Sequence, residues 1–432
     1  MLDPLPIDPA TRPVDGTVTL PGSKSITNRA LVCAALAEGT STLSGVLHAD
    51  DTVAMVEALR VLGVEVVGTG HGELAVTGTD HRRAGRVDAR QSGTTARFLL
   101  PLLALGEGVS TLDGDAQLRD RPMGPTFDAL REAGVRVEEQ AGSGRLPVVV
   151  AGPMRSHALA VPGDVSSQFL SGLLLSGPAT PEGLELTITT ELVSRPYVDM
   201  TVAVMASFGA DVVHDVIGGR ETWHVSPVRY RATGYAIEPD ASAASYAWAA
   251  AVVTGGRVTV PGLHRGSLQG DVAFVGVLEQ MGAGVTWHDD AVTVAAGDGL
   301  HGIDVDMAHI SDTVPTLAAV AALADTPTTI RGVGFIRDKE SDRIAGPVME
   351  LQRCGIEARA TADGMEIHPG PLRAATFETY RDHRMAMAFG LLGLAAPGMA
   401  VRDPGCVAKT FPGFWDLLDG LRAGTVPPAR HG

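Results

Sequence analysis

What most constrains the fold of this chain is a recurrence. Six times, a short polar or charged loop runs into a helix built of small and apolar residues. The first case is Leu-Pro-Gly-Ser-Lys-Ser-Ile-Thr-Asn-Arg, from Leu20, running on through Ala-Leu-Val-Cys-Ala-Ala to Gly39. Anchored on Ser25, Thr94, Ser166, Asp240, Asp312 and His383, the repeats are spaced by 69, 72, 74, 72 and 71 residues. Spacing that regular implies one supersecondary unit of about 70 residues used six times. Between anchors, the hydrophobic pattern predicts a second, amphipathic helix and short alternating strands. In the first unit these are a helix over 51–62 and strands over 64–67 and 73–77; in the fourth, a helix over 270–281 and strands over 285–287 and 291–294. Six α/β units of βαβαββ type most simply make two domains of three. The Pro/Arg-rich link from Ser226 to Gly234 marks the boundary. The expected division is 21–232 for the first domain and 1–20 with 233–424 for the second, leaving 425–432 as a flexible tail. The chain would then cross between domains twice, a double hinge suited to closing on a ligand.

Each loop-to-helix junction is a potential anion site, because free backbone N–H groups and the positive end of the helix dipole point at whatever lies in front of it. An ordinary capped helix is the plain alternative for any one of them. A nucleotide-binding P-loop is excluded at Lys24, since the required glycines one and six residues earlier are Ser23 and Val18. With all six helix starts facing an interdomain cleft, Lys24, Arg29, Arg97, Arg121, Lys339, Arg343, Arg384 and Lys409 would make a cationic pocket for a small polyanion. The chain as a whole has a net charge of −16, which argues against a nucleic-acid partner. Of its 34 basic residues, only Lys24, Lys339 and Lys409 are lysines. A chain so biased toward arginine retains lysine where a compact ammonium on a flexible stem is required. Cys33, Cys354 and Cys406 are far apart and odd in number, so neither a disulfide framework nor a cysteine metal site is expected. The N-terminus lacks the basic and apolar regions of a signal segment, and no apolar run is long enough for a membrane span. A cytoplasmic location, no membrane partner and a monomer are the expectations.

The segments Leu-Pro-Gly-Ser-Lys-Ser-Ile-Thr-Asn-Arg, Ser-Gly-Thr-Thr-Ala-Arg, Asp-Arg-Pro-Met-Gly and Ser-Ser-Gln-Phe-Leu-Ser-Gly-Leu-Leu occur in that order. They are followed by Ser-Arg-Pro-Tyr-Val-Asp-Met-Thr, Lys-Glu-Ser-Asp-Arg, Asp-His-Arg-Met-Ala-Met and Lys-Thr-Phe-Pro-Gly-Phe. Together they resemble the 5-enolpyruvylshikimate-3-phosphate synthase family over about residues 15 to 420. The resemblance implies two inside-out α/β domains of three repeats each. It also implies the transfer of enolpyruvyl from phosphoenolpyruvate to the 5-hydroxyl of shikimate 3-phosphate, a step of the shikimate pathway to chorismate and the aromatic amino acids. By motif position, Ser25, Arg29, Ser166, Ser167 and Ser194 should bind shikimate 3-phosphate. Lys24 and Gln168 should lie between the two substrates, and Gly93, Arg121, Arg343, Arg384 and Lys409 should bind phosphoenolpyruvate. Asp312 is the expected base on the 5-hydroxyl with Lys339 nearby, and Glu340 the expected proton donor to the methylene carbon.

These residue types suit the chemistry. Guanidinium forks bind phosphate and carboxylate bidentately. Addition followed by elimination needs one acid and one base on opposite sides, and Asp312 and Glu340, on successive loops, can occupy different walls. No metal or other cofactor is required, because the cations can stabilise the developing charge. Taken singly, Asp312 reads as well as a helix cap, and His383, Met385 and Met387 read as packing. Arg97, Arg119, Arg195 and Arg337 are left without a site role. Two positions depart from the family's pattern. Gln91-Ser92 stands before Gly93-Thr94 where an Asn and an Ala are usual, and Phe335 stands where a polar contact to shikimate 3-phosphate is usual. One rival is the sister enzyme acting on UDP-N-acetylglucosamine, which carries Asn after the lysine and a loop Cys that the segment Asp113 to Arg121 lacks. The other is a non-catalytic binder of phosphorylated metabolites, which leaves Asp312 and Lys339-Glu340 unexplained.

Overall fold

A helix that is apolar on every side can be stable in water only if other elements surround it. The six anchor helices meet that condition. In the computed structural model, which describes residues 1–70 and 72–425, they are Lys24–Ala35, Gly93–Leu103, Ser167–Ser176, Ala241–Thr254, Val314–Ala321 and His383–Ala395. Every residue of Gly93–Leu103, Val314–Ala321 and all but the last of His383–Ala395 is buried. The chain divides into two units, Gly22–Ile237 and Met1–Pro21 with the segment from Glu238 onward, and each holds three of these helices. Small residues let them pack closely. A Cβ at Gly172 would lie 2.4 Å from the Arg97 carbonyl oxygen, so only glycine lets Ser167–Ser176 lie against Gly93–Leu103.

Five of the six starts are held by a side-chain cap. Ser23, Ser92, Ser166, Asp240 and Asp382 accept hydrogen bonds from backbone N–H groups of the first turn. In three repeats the cap precedes the spacing anchor by one or two residues: Ser23 before Ser25, Ser92 before Thr94 and Asp382 before His383. The start before Val314–Ala321 has no side-chain cap and is preceded by the 3-10 turn Ser311–Thr313, which contains Asp312. Asp312 is therefore not the helix cap its sequence context suggests.

The sheets lie outside the helices. Within Gly22–Ile237, Ala158–Val161 runs parallel to Leu184–Ile188, and Arg220–Val225 and Val212–Ile217 follow antiparallel. The same order recurs in Arg86–Asp88, Val109–Asp113, Val148–Ala151 and Arg136–Glu139. It recurs again around Thr40–Ser44, but there the parallel partner is Gly234–Ala236, supplied from nearly 200 residues away. Correspondingly Asp15–Thr17, which immediately precedes the first anchor helix, pairs with Arg257–Pro261 in the other unit. The first strands of repeats one and four are thus exchanged, and this exchange is what makes the chain cross twice. The second crossing falls after Ile237 rather than after residue 232, because Gly234–Ala236 is hydrogen-bonded to Thr42–Ser44 and Ile237 N–H donates to Ser44 at 2.9 Å. The first falls after Pro21 rather than after residue 20.

Two further expectations shift. The segment expected as one helix over 270–281 is a 3-10 turn, Gly270–Ala273, leading into the helix Phe274–Gln280, a tightening common at helix starts. The sixth unit is truncated to a three-stranded sheet in which Leu5–Ile7 completes Met399–Val401 and Ala375–Phe377. The expected tail lies, apart from Thr425, outside the described residues. No helix among the described residues is long and apolar enough to cross a membrane.

Candidate active site

In the unit Gly22–Ile237, the cap at Ser23 sets Lys24 as the first helical residue, with its ammonium 3.6 Å from the carboxylate of Asp51. Asp51 sits at the start of the next helix, Asp50–Val61, and its backbone carbonyl accepts the Thr95 hydroxyl at 3.2 Å. Thr95 in turn donates to Ser92 at 2.8 Å. The hydroxyl of Ser92 is therefore turned into its own helix start, where it also caps Thr95 N–H at 3.2 Å.

Gly93 follows that cap. A Cβ there would lie 2.5 Å from Nη1 of Arg121, so the guanidinium rests directly on the helix start. A cation over a positive dipole end is repulsive on its own account, and an anion bound between the two relieves it. Arg97 is 2% exposed and donates to Gln168 Oε1 at 2.8 Å and to the Pro122 carbonyl at 3.1 Å. Gln168 Nε2 donates to Thr94 at 3.2 Å, so both ends of its amide are fixed and its oxygen is turned to Arg97. The starts of Gly93–Leu103 and Ser167–Ser176 are joined through this amide. The sequence placed Arg97 among the cations of the expected pocket but gave it no role of its own.

Arg29 is completely buried and donates to Thr201 Oγ1 at 2.8 Å, to Ser25 carbonyl at 2.9 Å and to Tyr197 carbonyl at 3.0 Å. Three of its five N–H groups thus tie its helix to Arg195–Ser207. Burial lowers its pKa to about 10, which still leaves it charged at neutral pH. Ser194, just before Arg195–Ser207, is held in the left-handed region at φ 53°. That conformation is strained for a residue with a side chain and concentrates at functional sites. Ser166, Ser167 and Ser194 are all buried. Arg119 and Arg195 are bound elsewhere: Arg119 to Asp113 at 2.8 Å, Arg195 to Glu221.

The second unit carries a denser cluster around Arg343, which is 2% exposed. Its Nε and Nη2 grip Asp382 at 2.8 and 3.1 Å, Nη2 also reaches Glu340 at 2.9 Å, and Nη1 reaches Asp312 at 3.0 Å. Arg384 donates to the other oxygen of Asp312 at 2.6 Å. Lys409 lies 3.5 Å from the other oxygen of Glu340. Burial alone would lower the Arg343 pKa, but Asp382, Glu340 and Asp312 outweigh it and hold the guanidinium more firmly protonated than usual. Arg384 also reaches Ser242, on the Ala241–Thr254 helix, at 3.4 Å. The starts of all three buried helices of this unit therefore converge on one cluster.

One expectation changes here. Asp312 and Glu340 do not face each other from different walls; they sit on the two Nη atoms of a single guanidinium. The cations are paired: Glu340 bridges Lys409 and Arg343, Asp312 bridges Arg343 and Arg384, and Arg343 also grips Asp382. Asp382 was missed; its signal was its place as a cap two residues before Arg384. Asp51 was missed for the same reason, as half of an acidic pair at a helix start. His383 is buried, and burial first, then Arg384, pushes its imidazole well below the ordinary value. Its Nδ1 lies 3.5 Å from Asp382, but a neutral ring makes that contact no ion pair. Lys339 follows the 3-10 turn Gly334–Asp338, with its ammonium 5.6 Å from the centre of the Phe335 ring. Arg337, on the same turn, is taken up by Asp342 at 2.9 Å.

The family described as EPSP synthase (3-phosphoshikimate 1-carboxyvinyltransferase) matches residues 9–418. A 3-phosphoshikimate 1-carboxyvinyltransferase of Trichormus variabilis is 43% identical over 424 residues, 96% of this chain and 98% of that protein. One from Methanosphaerula palustris is 45% identical over 412 residues, 94% of this chain and 96% of the relative. Among solved structures, an EPSP synthase from Acinetobacter baumannii superposes with a TM-score of 0.81 at 28% identity, covering 98% of this chain and 99% of the other.

Proposed function

The chain belongs to the EPSP synthase (3-phosphoshikimate 1-carboxyvinyltransferase) family, and from that premise we propose how its residues carry the reaction. The enzyme transfers the enolpyruvyl group of phosphoenolpyruvate to the 5-hydroxyl of shikimate 3-phosphate and releases phosphate. In the addition step the 5-oxygen bonds to the central carbon of phosphoenolpyruvate while the methylene carbon gains a proton. In the elimination step that carbon loses a proton, the C–O bond to phosphate breaks and the double bond returns.

The observation that carries the assignment of roles is the shared guanidinium of Arg343, which holds Asp312 and Glu340 at 3.0 and 2.9 Å. Arg343, Arg384 and Lys409 take the phosphate and carboxylate of phosphoenolpyruvate, together with Arg121 over the helix start at Gly93. Each of the three cations nearest the carboxylates is already paired, so an arriving anion competes with Asp312 and Glu340 for the same donors. The carboxylates lose cationic partners and gain an anionic neighbour, and both changes raise their affinity for protons. Asp312 then accepts the 5-hydroxyl proton, and Glu340 delivers one to the methylene carbon. Lys24, Ser25, Arg29, Ser166, Ser167, Gln168, Ser194 and Lys339 bind shikimate 3-phosphate, with Lys24 and Gln168 also reaching phosphoenolpyruvate. Arg97 fixes the Gln168 amide and Asp51 steers the Lys24 ammonium, each without touching substrate. Three thiol cysteines fit a reducing, cytoplasmic compartment, and we propose that the enzyme works there as a monomer.

The test is a phosphate-release assay on the purified chain. Phosphate should appear from phosphoenolpyruvate only when shikimate 3-phosphate is present. Release that depends instead on UDP-N-acetylglucosamine would overturn the acceptor, and none with either would leave only a binder.

A further inference from the structure

The two segments that carry Arg343 and Asp382 are joined a second time. Glu350, on the helix Ala345–Arg353 that begins two residues after Arg343, is completely buried. Its Oε1 accepts the Tyr380 hydroxyl at 2.6 Å, and its Oε2 accepts the Glu378 N–H at 3.0 Å and Nε–H of Arg353 at 2.8 Å. The Tyr380 ring lies along the same helix: a Cβ at Gly346, one turn before Glu350, would be 3.6 Å from it. Both oxygens of a buried carboxylate thus hold the stretch of chain just before Asp382.

That stretch is strained. Tyr380 and Arg381 are both at φ 55°, two consecutive residues with side chains in the left-handed region. Such a conformation is costly for a residue with a Cβ and persists only where its surroundings over-determine it. The chain leaves this turn at Asp382, whose N–H donates to the Thr379 carbonyl at 2.8 Å. The Asp382 carboxylate then caps Arg384 N–H at 2.9 Å, accepts the Ser341 hydroxyl at 2.9 Å and grips Arg343. A turn that relaxed out of the left-handed region would carry Asp382 away from these donors. Fastening a helix to its neighbour requires no such strain, whereas aiming Asp382 at Arg343 does.

We propose that Glu350 and Tyr380 are positioning residues for the phosphoenolpyruvate end of the site: the Glu350 carboxylate, through the Tyr380 hydroxyl, holds the left-handed turn that sets Asp382 against Arg343. This rests on the placement of phosphoenolpyruvate at Arg343 made above. Neither residue touches substrate.

Steady-state kinetics on the full-length enzyme test it. Tyr380→Phe keeps the ring and removes only the hydroxyl, and it should raise KM for phosphoenolpyruvate about three- to tenfold. KM for shikimate 3-phosphate should stay within roughly twofold of the parent. Glycine takes the left-handed region without steric cost, so Arg381→Gly relieves the turn. Added to Tyr380→Phe, it should bring KM for phosphoenolpyruvate back to within roughly twofold of the parent, a rescue that a hydroxyl acting only in packing does not predict. Glu350→Gln leaves the turn one acceptor oxygen in place of two and should show the same defect and the same rescue; if it folds poorly, the Tyr380 variants decide alone. Parental KM for phosphoenolpyruvate in Tyr380→Phe or in folded Glu350→Gln, equal rises for both substrates, or a defect that Arg381→Gly leaves untouched would overturn the proposal. Arg343→Lys tests the reading beneath it. Parental KM for phosphoenolpyruvate in that variant would overturn the placement of the substrate at Arg343, whereas a raised KM there with a parental one in Tyr380→Phe would overturn the positioning role alone.

Discussion

The sharpest lesson at the scale of single residues concerns charge. The cations of the site were legible in the sequence because the chain uses so few lysines and because Arg343 and Arg384 stand in distinctive motifs. Their partners were not, since Asp51 and Asp382 look like ordinary caps until the fold brings a lysine or a guanidinium to them. His383 shows the same limit from the other side. Its burial was anticipated, but the consequence is electrostatic: with its pKa pushed well below 6.5 by burial and by Arg384, the ring stays neutral in the native state. Between 6.5 and the native value the unfolded chain binds a proton that the folded chain does not. Native stability therefore falls as pH drops through that window. His383→Gln removes the proton difference. Chemical denaturation from pH 7.5 to 5 should show the parent losing up to about 1.4 kcal/mol more per pH unit than the variant below pH 6. Parallel slopes would mean that the native imidazole takes up the proton after all.

At the scale of elements, each anchor helix does two jobs that a linear pattern half reveals. Small apolar residues and N-caps announce a buried helix start, which is why six of them could be counted. What a start holds in front of it depends on distances that no spacing encodes, and Gly93 is the clearest case. Its neighbour Ser92 departs from the family's pattern, yet its hydroxyl is spent on Thr95 within the same turn. Gly93 is the residue the geometry depends on, because an alanine Cβ would meet Arg121 at 2.5 to 3.0 Å. The guanidinium is the far end of a flexible side chain, so it would move rather than break the helix. Gly93→Ala should therefore fold normally but raise KM for phosphoenolpyruvate by about tenfold, a displacement of 1 Å being able to cost more. KM for shikimate 3-phosphate should change less than twofold. Steady-state kinetics in each substrate separate the two, and equal rises in both would place Arg121 elsewhere.

At the scale of the whole molecule, a repeat counted along the chain is not a unit in space. The period was legible because each unit buries the same kind of helix. The exchange of first strands was not, because Gly234–Ala236 and Asp15–Thr17 are three-residue strands whose partners lie about 190 and 240 residues away along the chain. A boundary drawn by composition at residue 232 therefore cuts a sheet. The consequence can be measured on fragments. Residues 22–237 carry all three sheets of their unit complete, whereas 22–232 lacks the strand beside Thr40–Ser44 and exposes a bare edge. It also loses Ile237, which is 8% exposed, and the Ile237 N–H bond to Ser44. Burying an isoleucine contributes about 1.5–3 kcal/mol and each hydrogen bond about 1 kcal/mol. In urea titrations the fragment 22–237 should unfold cooperatively, and 22–232 should be less stable by roughly 3 kcal/mol or more and prone to associate through its open edge. Equal midpoints would show that the exchanged strand is a covalent link and not a structural member of the domain, and the boundary would then return to residue 232.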